Sequence, residues 1–138
     1  MKTVLTYGTF DLFHIGHVNL LRRAKALGDR LIVGVSTDEF NARKGKSTLV
    51  PFTHRSEIVR SCRFVDLVIP ECDWKQKADD IQTYQANVFV MGDDWQGKFD
   101  DLGALCEVVY LERTKEVSSS SLKQAISVFM QLKNELSV

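Results

Sequence analysis

Residues 31–36 read Leu-Ile-Val-Gly-Val-Ser, a stretch that is apolar almost without interruption. A strand with no polar alternation is buried on both faces, which is typical of a parallel sheet covered by helices on each side. Four other stretches have the composition of strands, at residues 3–7, 65–69, 88–91 and 107–111, and we expect Pro70 to stop the third strand along the chain. The sequence therefore predicts a central five-stranded parallel sheet.

Helical patterns separate these strands. Apolar residues recur at helical spacing after His17, and Gly28 stands where a helix end often needs a left-handed residue. The other predicted helices begin near Pro51 or span residues 75–84 and 122–136. Strands that alternate with helices imply right-handed β-α-β crossovers. We predict one three-layer α/β/α, Rossmann-like domain over residues 1–138.

Composition limits the function and the location. Lysine plus arginine number 18 and aspartate plus glutamate number 18, so the chain lacks the basic excess of most nucleic-acid-binding proteins. No apolar run approaches the length of a membrane span, and no secretory leader follows Met1. The cysteines, Cys62, Cys72 and Cys106, are odd in number and form no C-x-x-C pair. We predict a cytoplasmic protein with reduced thiols, no membrane insertion and no nucleic-acid partner.

Ligands of open parallel sheets bind beyond the carboxyl ends of the strands. The segments to search are therefore residues 8–17, 37–52, 92–98 and 112–121. The first contains His14-Ile-Gly-His17, which puts two imidazoles one turn apart at the positive end of a helix. Gly16 leaves room for an anion to approach the backbone, so the motif predicts a phosphate pocket. The alternative is purely structural: His14 would cap the helix and His17 would pack in the core. That interpretation suits a lone histidine better than two histidines with a glycine between them.

Two other segments carry positive charge. Arg43-Lys-Gly-Lys46 follows the second strand, and Arg113 precedes a run of four serines at residues 118–121. Arginine can bind phosphate oxygens through two hydrogen bonds, and serines at a helix start offer hydroxyl and backbone donors. Such a run can also be a plain helix cap, which accounts for one serine. Asp93 and Asp94 are adjacent loop residues that rarely point the same way, so we predict no metal ligand from the protein.

Together these segments resemble the nucleotidylyltransferase superfamily with the H-x-G-H motif, and within it the cytidylyltransferase family. The resemblance rests on Tyr-Gly-Thr-Phe-Asp at residues 7–11, the H-x-G-H motif, Met-Gly-Asp-Asp-Trp at residues 91–95 and Arg113-Thr114, and it extends over nearly the whole chain. It is strongest to the members whose acceptor is glycerol 3-phosphate. It implies transfer of a cytidylyl group from CTP, with CDP-glycerol and pyrophosphate as products, for teichoic-acid or capsular polymer synthesis.

The resemblance also implies residue roles. Catalysis would fall to His14, His17, Lys46 and Arg113. The contacts to CTP would come from Thr9, Phe10, His14, Ile15, Gly16, His17, Lys46, Arg113, Thr114, Ser118, Ser119 and Ser120. Lys44 and Lys77 would bind the acceptor, although Lys77 by itself has the pattern of a surface residue. Supporting roles would fall to Asp11, Arg55, Arg63, Asp66 and Asp94, for three of which (Arg55, Arg63 and Asp66) a surface ion-pair network is an equal alternative. Mg²⁺ would accompany the CTP phosphates, and the protein would be a homodimer.

The chain departs from the family pattern in one loop. Glu116 stands where glycine is usual, Val117 replaces isoleucine, and Ser119 and Ser120 replace threonines.

Three alternatives to this function remain open: another phosphorylated alcohol as acceptor, ATP as donor, or a nucleotide-binding module without turnover.

Overall fold

The computed structural model describes residues 1–115 and 118–136. Within these ranges the strands are β1 (Thr3–Gly8), β2 (Arg30–Ser36), β3 (Leu67–Glu71), β4 (Val88–Gly92) and β5 (Glu107–Leu111). The α-helices are α1 (Ile15–Lys25), α2 (Asp38–Arg43), α3 (Phe52–Arg60), α4 (Gln76–Thr83) and α5 (Ser119–Leu136). Short 3-10 helices lie at Asp93–Trp95 and Asp100–Ala104.

All the strands pair in parallel, in the order β3-β2-β1-β4-β5. The predicted five-stranded parallel sheet is confirmed. The chain runs outward from β1 to β3 and then returns to the other side of β1 with β4. The direction of winding therefore reverses between β1 and β4, and a crevice for a ligand opens beyond their carboxyl ends.

Helices cover both faces of the sheet, which confirms the three-layer prediction. On one face Val33 packs in a cluster with Leu21 of α1 and Val59 of α3. On the other face Ile32 packs in a cluster with Ile81 of α4. Neighbouring residues of β2 thus enter opposite cores, which is why this strand is apolar without alternation.

The expectation that Pro70 stops the third strand is wrong. β3 spans Leu67–Glu71, and Pro70 lies within it, opposite Val35 of β2. Because β3 is at the edge of the sheet, it has a neighbour on one side only. A proline whose missing N–H faces away from that neighbour costs the sheet no hydrogen bond.

The role predicted for Gly28 is also wrong. Helix α1 ends in a right-handed cap at Ala26, and Gly28 is not among the glycines with positive φ. A Cβ at Gly28 would lie 2.7 Å from the carbonyl oxygen of Lys2 and 2.8 Å from the side chain of Val4. Gly28 is therefore required by a close approach of the chain to β1.

Helix α2 lies in the searched segment at residues 37–52, where the sequence predicts no helix. Its cap is Thr37, whose hydroxyl accepts a hydrogen bond from the Phe40 amide at 3.1 Å. Helix α5 begins at Ser119, three residues earlier than predicted. Among the residues that the structure describes, no helix is long and apolar enough to cross a membrane.

Candidate active site

A cavity of about 420 Å³ lies at the carboxyl edge of the sheet, where β1 and β4 end. Most of the predicted site residues line it: Thr9, Phe10, Asp11, His14, Gly16, His17, Lys46, Asp94, Arg113, Thr114, Ser118, Ser119 and Ser120. Its wall also contains Trp95 of the motif at residues 91–95, and residues that the sequence did not single out, among them Ser47, Thr48 and Lys123. All four searched segments contribute to this wall, the first and the fourth the most.

The two histidines cap α1 reciprocally. His14 is the N-cap residue, and its Nδ1 accepts a hydrogen bond from the Gly16 amide at 3.0 Å. The Nδ1 of His17 accepts one from the His14 amide at 3.2 Å, and the two rings stack 3.9 Å apart. Since each Nδ1 is an acceptor, a neutral ring carries its proton on Nε2. The helix cap therefore sets the tautomer of both imidazoles.

Both imidazoles are neutral at pH 7. Burial lowers the pKa of His17 to about 4, with the neighbouring His14 adding to the effect, and burial also lowers the pKa of His14. Among the described residues, the buried Nε2 of His14 meets no hydrogen-bond partner. A buried N–H without a partner costs free energy unless a ligand accepts from it. An anionic oxygen in the cavity is such an acceptor.

The depressed pKa of His17 predicts acid-sensitive stability. The unfolded chain takes up a proton near pH 6.5 and the folded chain only near pH 4, so stability is retained above pH 6.5 and lost as the pH falls toward 4. Between pH 7.5 and 5 we expect this residue to account for a loss of about 2 kcal/mol in the free energy of unfolding. Urea denaturation at both pH values checks it, because His17→Gln should lose correspondingly less. An equal loss in both proteins would contradict the assignment.

Gly16 makes room for the ring of His14. A Cβ at this position would lie 2.8 Å from Cε1 and 3.0 Å from Nδ1 of that imidazole. The sequence predicts that the missing side chain makes room for a phosphate. In the structure the room is taken by the ring of His14 in its capping position.

Asp11 joins three walls of the cavity. Its buried carboxylate accepts hydrogen bonds from the amides of Leu49 and Val50 at 2.9 and 3.0 Å and pairs with Lys123 of α5 at 2.8 Å. Burial alone would raise the pKa of Asp11, but Lys123 and the two amides outweigh it and hold the pKa below its usual value. The nearby backbone is strained, with φ of 56° at Phe10. Through its contacts Asp11 holds the segment after β1 against residues 49–50 and against α5.

Arg55 is completely buried, so a place in a surface ion-pair network is wrong for this residue. Its guanidinium donates to the carbonyl oxygens of Thr9, Ser36 and Val50, each at 2.8 Å, and pairs with Asp38 at 2.7 Å. These partners belong to the ends of β1 and β2, to α2 and to the segment between α2 and α3. Arg55 thus supports the cavity floor without lining it.

The loop after β5 is held by α1. Asn19 donates to the Thr114 hydroxyl at 3.0 Å, and Arg23 donates to the carbonyl oxygen of Glu112 at 2.8 Å. Ser118 caps the start of α5 by accepting from the Ser121 amide, and the Ser119 hydroxyl donates to the carbonyl oxygen of Asp11. The departures at Glu116 and Val117 lie outside the described residues.

Lys44 and Lys77 lie outside the wall of the main cavity and are connected by hydrogen bonds through Ser36 and Glu71. Glu71, at the end of β3, is buried and pairs with Lys77 at 2.6 Å. The same carboxylate accepts from the Ser36 hydroxyl at 2.6 Å, and Lys44 lies 3.4 Å from that hydroxyl. Burial lowers the pKa of Lys44, which the charge of Glu71 partly offsets. Two ammonium groups with one carboxylate leave one uncompensated positive charge, which suits a second anion.

Of the cations on the wall of the main cavity, Lys123 is paired with Asp11, which leaves Lys46 and Arg113 to face a ligand. Within residues 1–115 and 118–136, neither forms an ion pair with a carboxylate. With the two imidazole N–H groups they make a set of donors and cations suited to a polyphosphate. The described residues offer no group of three histidine, cysteine or acidic side chains placed to hold a metal.

Besides Arg55, Lys44 and Lys77, three further predicted residues lie away from the cavity wall. Ile15 points outward, with 53% of its surface exposed. Arg63 is exposed, and its guanidinium lies 5.4 Å from the ring centre of Phe64. Asp66 pairs with Lys25 at 2.6 Å and accepts from the Leu31 amide, at the amino ends of β2 and β3 and away from the cavity.

Comparisons with known proteins agree with this fold and identify its family. Residues 5–133 match the family model described as cytidylyltransferase-like. The chain is 55% identical over 127 residues to glycerol-3-phosphate cytidylyltransferase of Bacillus subtilis (strain 168), covering 92% of this chain and 98% of that protein. It is 52% identical over 126 residues to the Staphylococcus aureus (strain NCTC 8325 / PS 47) protein of the same name, covering 91% and 96%.

Among solved structures, the lipopolysaccharide core biosynthesis protein from Thermoplasma volcanium GSS1 superposes with a TM-score of 0.70 at 24% identity, covering 83% of this chain and 99% of that one. At that identity the likeness concerns the fold alone. The matched range covers nearly the whole chain and includes His14, His17, Lys46 and Arg113. The chain belongs to the cytidylyltransferase-like family.

Proposed function

We propose that this protein transfers the cytidylyl group of CTP to glycerol 3-phosphate, giving CDP-glycerol and pyrophosphate. The observation that carries the proposal is the pair of anion subsites at one edge of the sheet. The larger holds the two neutral imidazoles, Lys46 and Arg113, and the smaller holds Lys44 and Lys77. The transferred cytidylyl group and the acceptor are those in the names of the relatives at 55% and 52% identity.

The arrangement fits direct attack between two phosphates. An oxygen of the acceptor phosphate forms a bond to the α-phosphorus of CTP, and the bond to the pyrophosphate oxygen breaks. The attacking phosphate is already ionised, so no general base is needed. Catalysis then depends on alignment and on stabilising the charge that builds on the α-phosphate and the leaving group.

The neutral histidines suit that task. Their Nε2–H groups are fixed by the helix cap, so they donate to developing charge without a change of protonation state. Lys46 and Arg113 supply the positive charge for the pyrophosphate that leaves. Lys44 and Lys77 hold the incoming phosphate against the same edge.

We further propose that Mg²⁺ enters with the phosphates of CTP. This cation prefers phosphate and water ligands and needs few from the protein. Asp11 is unsuited as a ligand because its carboxylate is already engaged by two amides and Lys123. Asp94 and Glu112 are the exposed carboxylates on the cavity wall.

The test is pyrophosphate release from purified protein with Mg²⁺, one nucleoside triphosphate and one acceptor. We expect release with CTP and glycerol 3-phosphate, and little with ATP, GTP or UTP or with other phosphorylated alcohols. Preference for another acceptor or for ATP would replace the proposed substrates. Binding of CTP by calorimetry without product would replace the enzyme with a nucleotide-binding module.

We propose a cytoplasmic location because the cysteines are free and because the proposed substrate is CTP. Cys62, Cys72 and Cys106 are free, as expected in a reducing compartment. CTP is likewise an intracellular nucleotide.

We also propose a homodimer, formed through α5. No described residue of this helix is buried, yet Leu122, Ile126, Phe129 and Met130 form one apolar stripe, with Phe129 65% exposed. A stripe of this kind on a soluble chain marks an interaction surface. We expect Phe129→Glu to raise the dissociation constant of the dimer by about tenfold or more in sedimentation experiments. Gln124→Glu adds the same charge outside the stripe and should have no effect, and an unchanged Phe129→Glu protein would exclude α5 as the interface.

A further inference from the structure

Lys77 is a buried lysine with an unusual set of neighbours. It lies in the first turn of α4, and 8% of its side chain is exposed. Its ammonium group is 2.6 Å from Oε2 of Glu71. It also lies 4.8 Å from the ring centre of Tyr7 and 5.5 Å from that of Phe99. One carboxylate and two aromatic faces within these distances are the components of an ammonium-binding site.

We call Glu71, Tyr7 and Phe99 the ammonium cage, and each of them is held independently of Lys77. Glu71 accepts from the Ser36 hydroxyl through its other oxygen at 2.6 Å. The Tyr7 hydroxyl donates to Asp80 of α4. Phe99 packs on Phe89 with ring centres 5.3 Å apart, and its amide donates to the Tyr110 hydroxyl at 2.9 Å. The cage should therefore keep its shape if the lysine is shortened.

The ammonium cage lies beside the anion subsite. Lys44 reaches the same Ser36 hydroxyl that contacts Glu71, and Tyr7 also lines the main cavity. A phosphate bound between the two lysines would place the rest of the acceptor next to the cage. In this chain the cage already contains a cation, which belongs to the protein.

We propose that Lys77 determines acceptor specificity by filling the ammonium cage with its own side chain, so that phosphate esters of amino alcohols are excluded and those of neutral polyols are accepted. The inference rests on the proposed function. The ammonium of an amino-alcohol acceptor would meet the ammonium of Lys77 in a buried place, where like charges repel strongly. A neutral polyol causes no such repulsion.

The prediction is that shortening Lys77 opens the cage to a cation from solution. In Lys77→Ala we expect ethylammonium chloride to raise the melting temperature in a saturable way, measured against the same concentration of sodium chloride. The wild type and Lys77→Ala/Glu71→Gln should show no such rise. This measurement requires no turnover, so it tests the cage separately from the proposed reaction.

The specificity is tested with two acceptors, glycerol 3-phosphate and phosphoethanolamine. We expect the ratio of their kcat/KM values to fall by about tenfold or more in Lys77→Ala. Lys44→Ala is the matched control, because it removes a phosphate-binding charge without opening the cage and should weaken both acceptors alike. If Lys77→Ala does not fold, Lys77→Gln keeps a donor to Glu71 and should lower the ratio in the same direction.

An unchanged ratio in the folded Lys77 variant, or no saturable effect of ethylammonium in Lys77→Ala, would overturn the inference. A wild type that does not use glycerol 3-phosphate would instead overturn the proposed function. The two failures are therefore distinguishable.

Discussion

His14→Ala and His17→Ala are each expected to lower kcat by roughly 10²- to 10³-fold, the usual effect of removing one donor to a developing oxyanion. The buried Nε2 of His14 has no partner among the described residues, and both rings are held in the same tautomer. Each substitution thus removes a preorganised donor from the cavity. Pyrophosphate release at saturating CTP and glycerol 3-phosphate measures the loss.

Alanine also removes a helix cap, so matched variants are needed. Asparagine is a favourable N-cap residue and glutamine is favourable at the third position of a capping box. His14→Asn and His17→Gln should therefore melt close to the wild type while losing most of their activity. If either variant retained wild-type kcat, the histidines would serve the helix and not the reaction.

Arg55→Met is expected to lower the free energy of unfolding by about 3 kcal/mol or more, since it strips a buried guanidinium from its partners. Three carbonyl oxygens would lose their donor at once, and Asp38 would lose its counterion. Urea denaturation at pH 7.5 measures the change. We expect the activity that remains to fall as well, because these carbonyls fix the ends of β1 and β2.

Arg60→Met is the control from the same helix. Arg60 pairs with Glu57, and both side chains are more than half exposed. Exposed pairs of this kind are worth roughly 0 to 1 kcal/mol. Similar losses in Arg55→Met and Arg60→Met would mean that the buried contacts of Arg55 contribute little to stability.

Much of this site could be predicted from the sequence because its residues follow strands. An apolar run such as residues 31–36 identifies a buried parallel strand, and parallel strands end at one edge. The segment after each run therefore contained the histidines, Lys46 and Arg113. Local spacing also placed the helix start at His14, since the motif itself supplies the cap.

The contributions of Arg55, Lys77 and Lys123 could not be predicted in this way. Each carries a charge that the helical pattern alone would assign to the surface. Their environments come from segments distant in the chain: Arg55 meets Thr9 and Ser36, and Lys123 meets Asp11. A charge is buried only when such partners converge, and that depends on the strand order, which periodicity does not reveal. Helix α2 was missed because six residues are too few for a helical period to stand out.

The edge of the sheet at β3 has a consequence for the behaviour of the protein in concentrated solution. Pro70 offers no N–H to an incoming strand, and its carbonyl oxygen already accepts from the side-chain Nε2 of Gln76 at 2.9 Å. The same side chain accepts from the Cys72 amide, and the Cys72 carbonyl accepts from Arg43. An open edge of this kind is a template for aggregation, and here the backbone groups of Pro70 and Cys72 are already occupied. The carboxyl end of this edge is thus protected against sheet-to-sheet polymerisation, by residues that lie outside the candidate site.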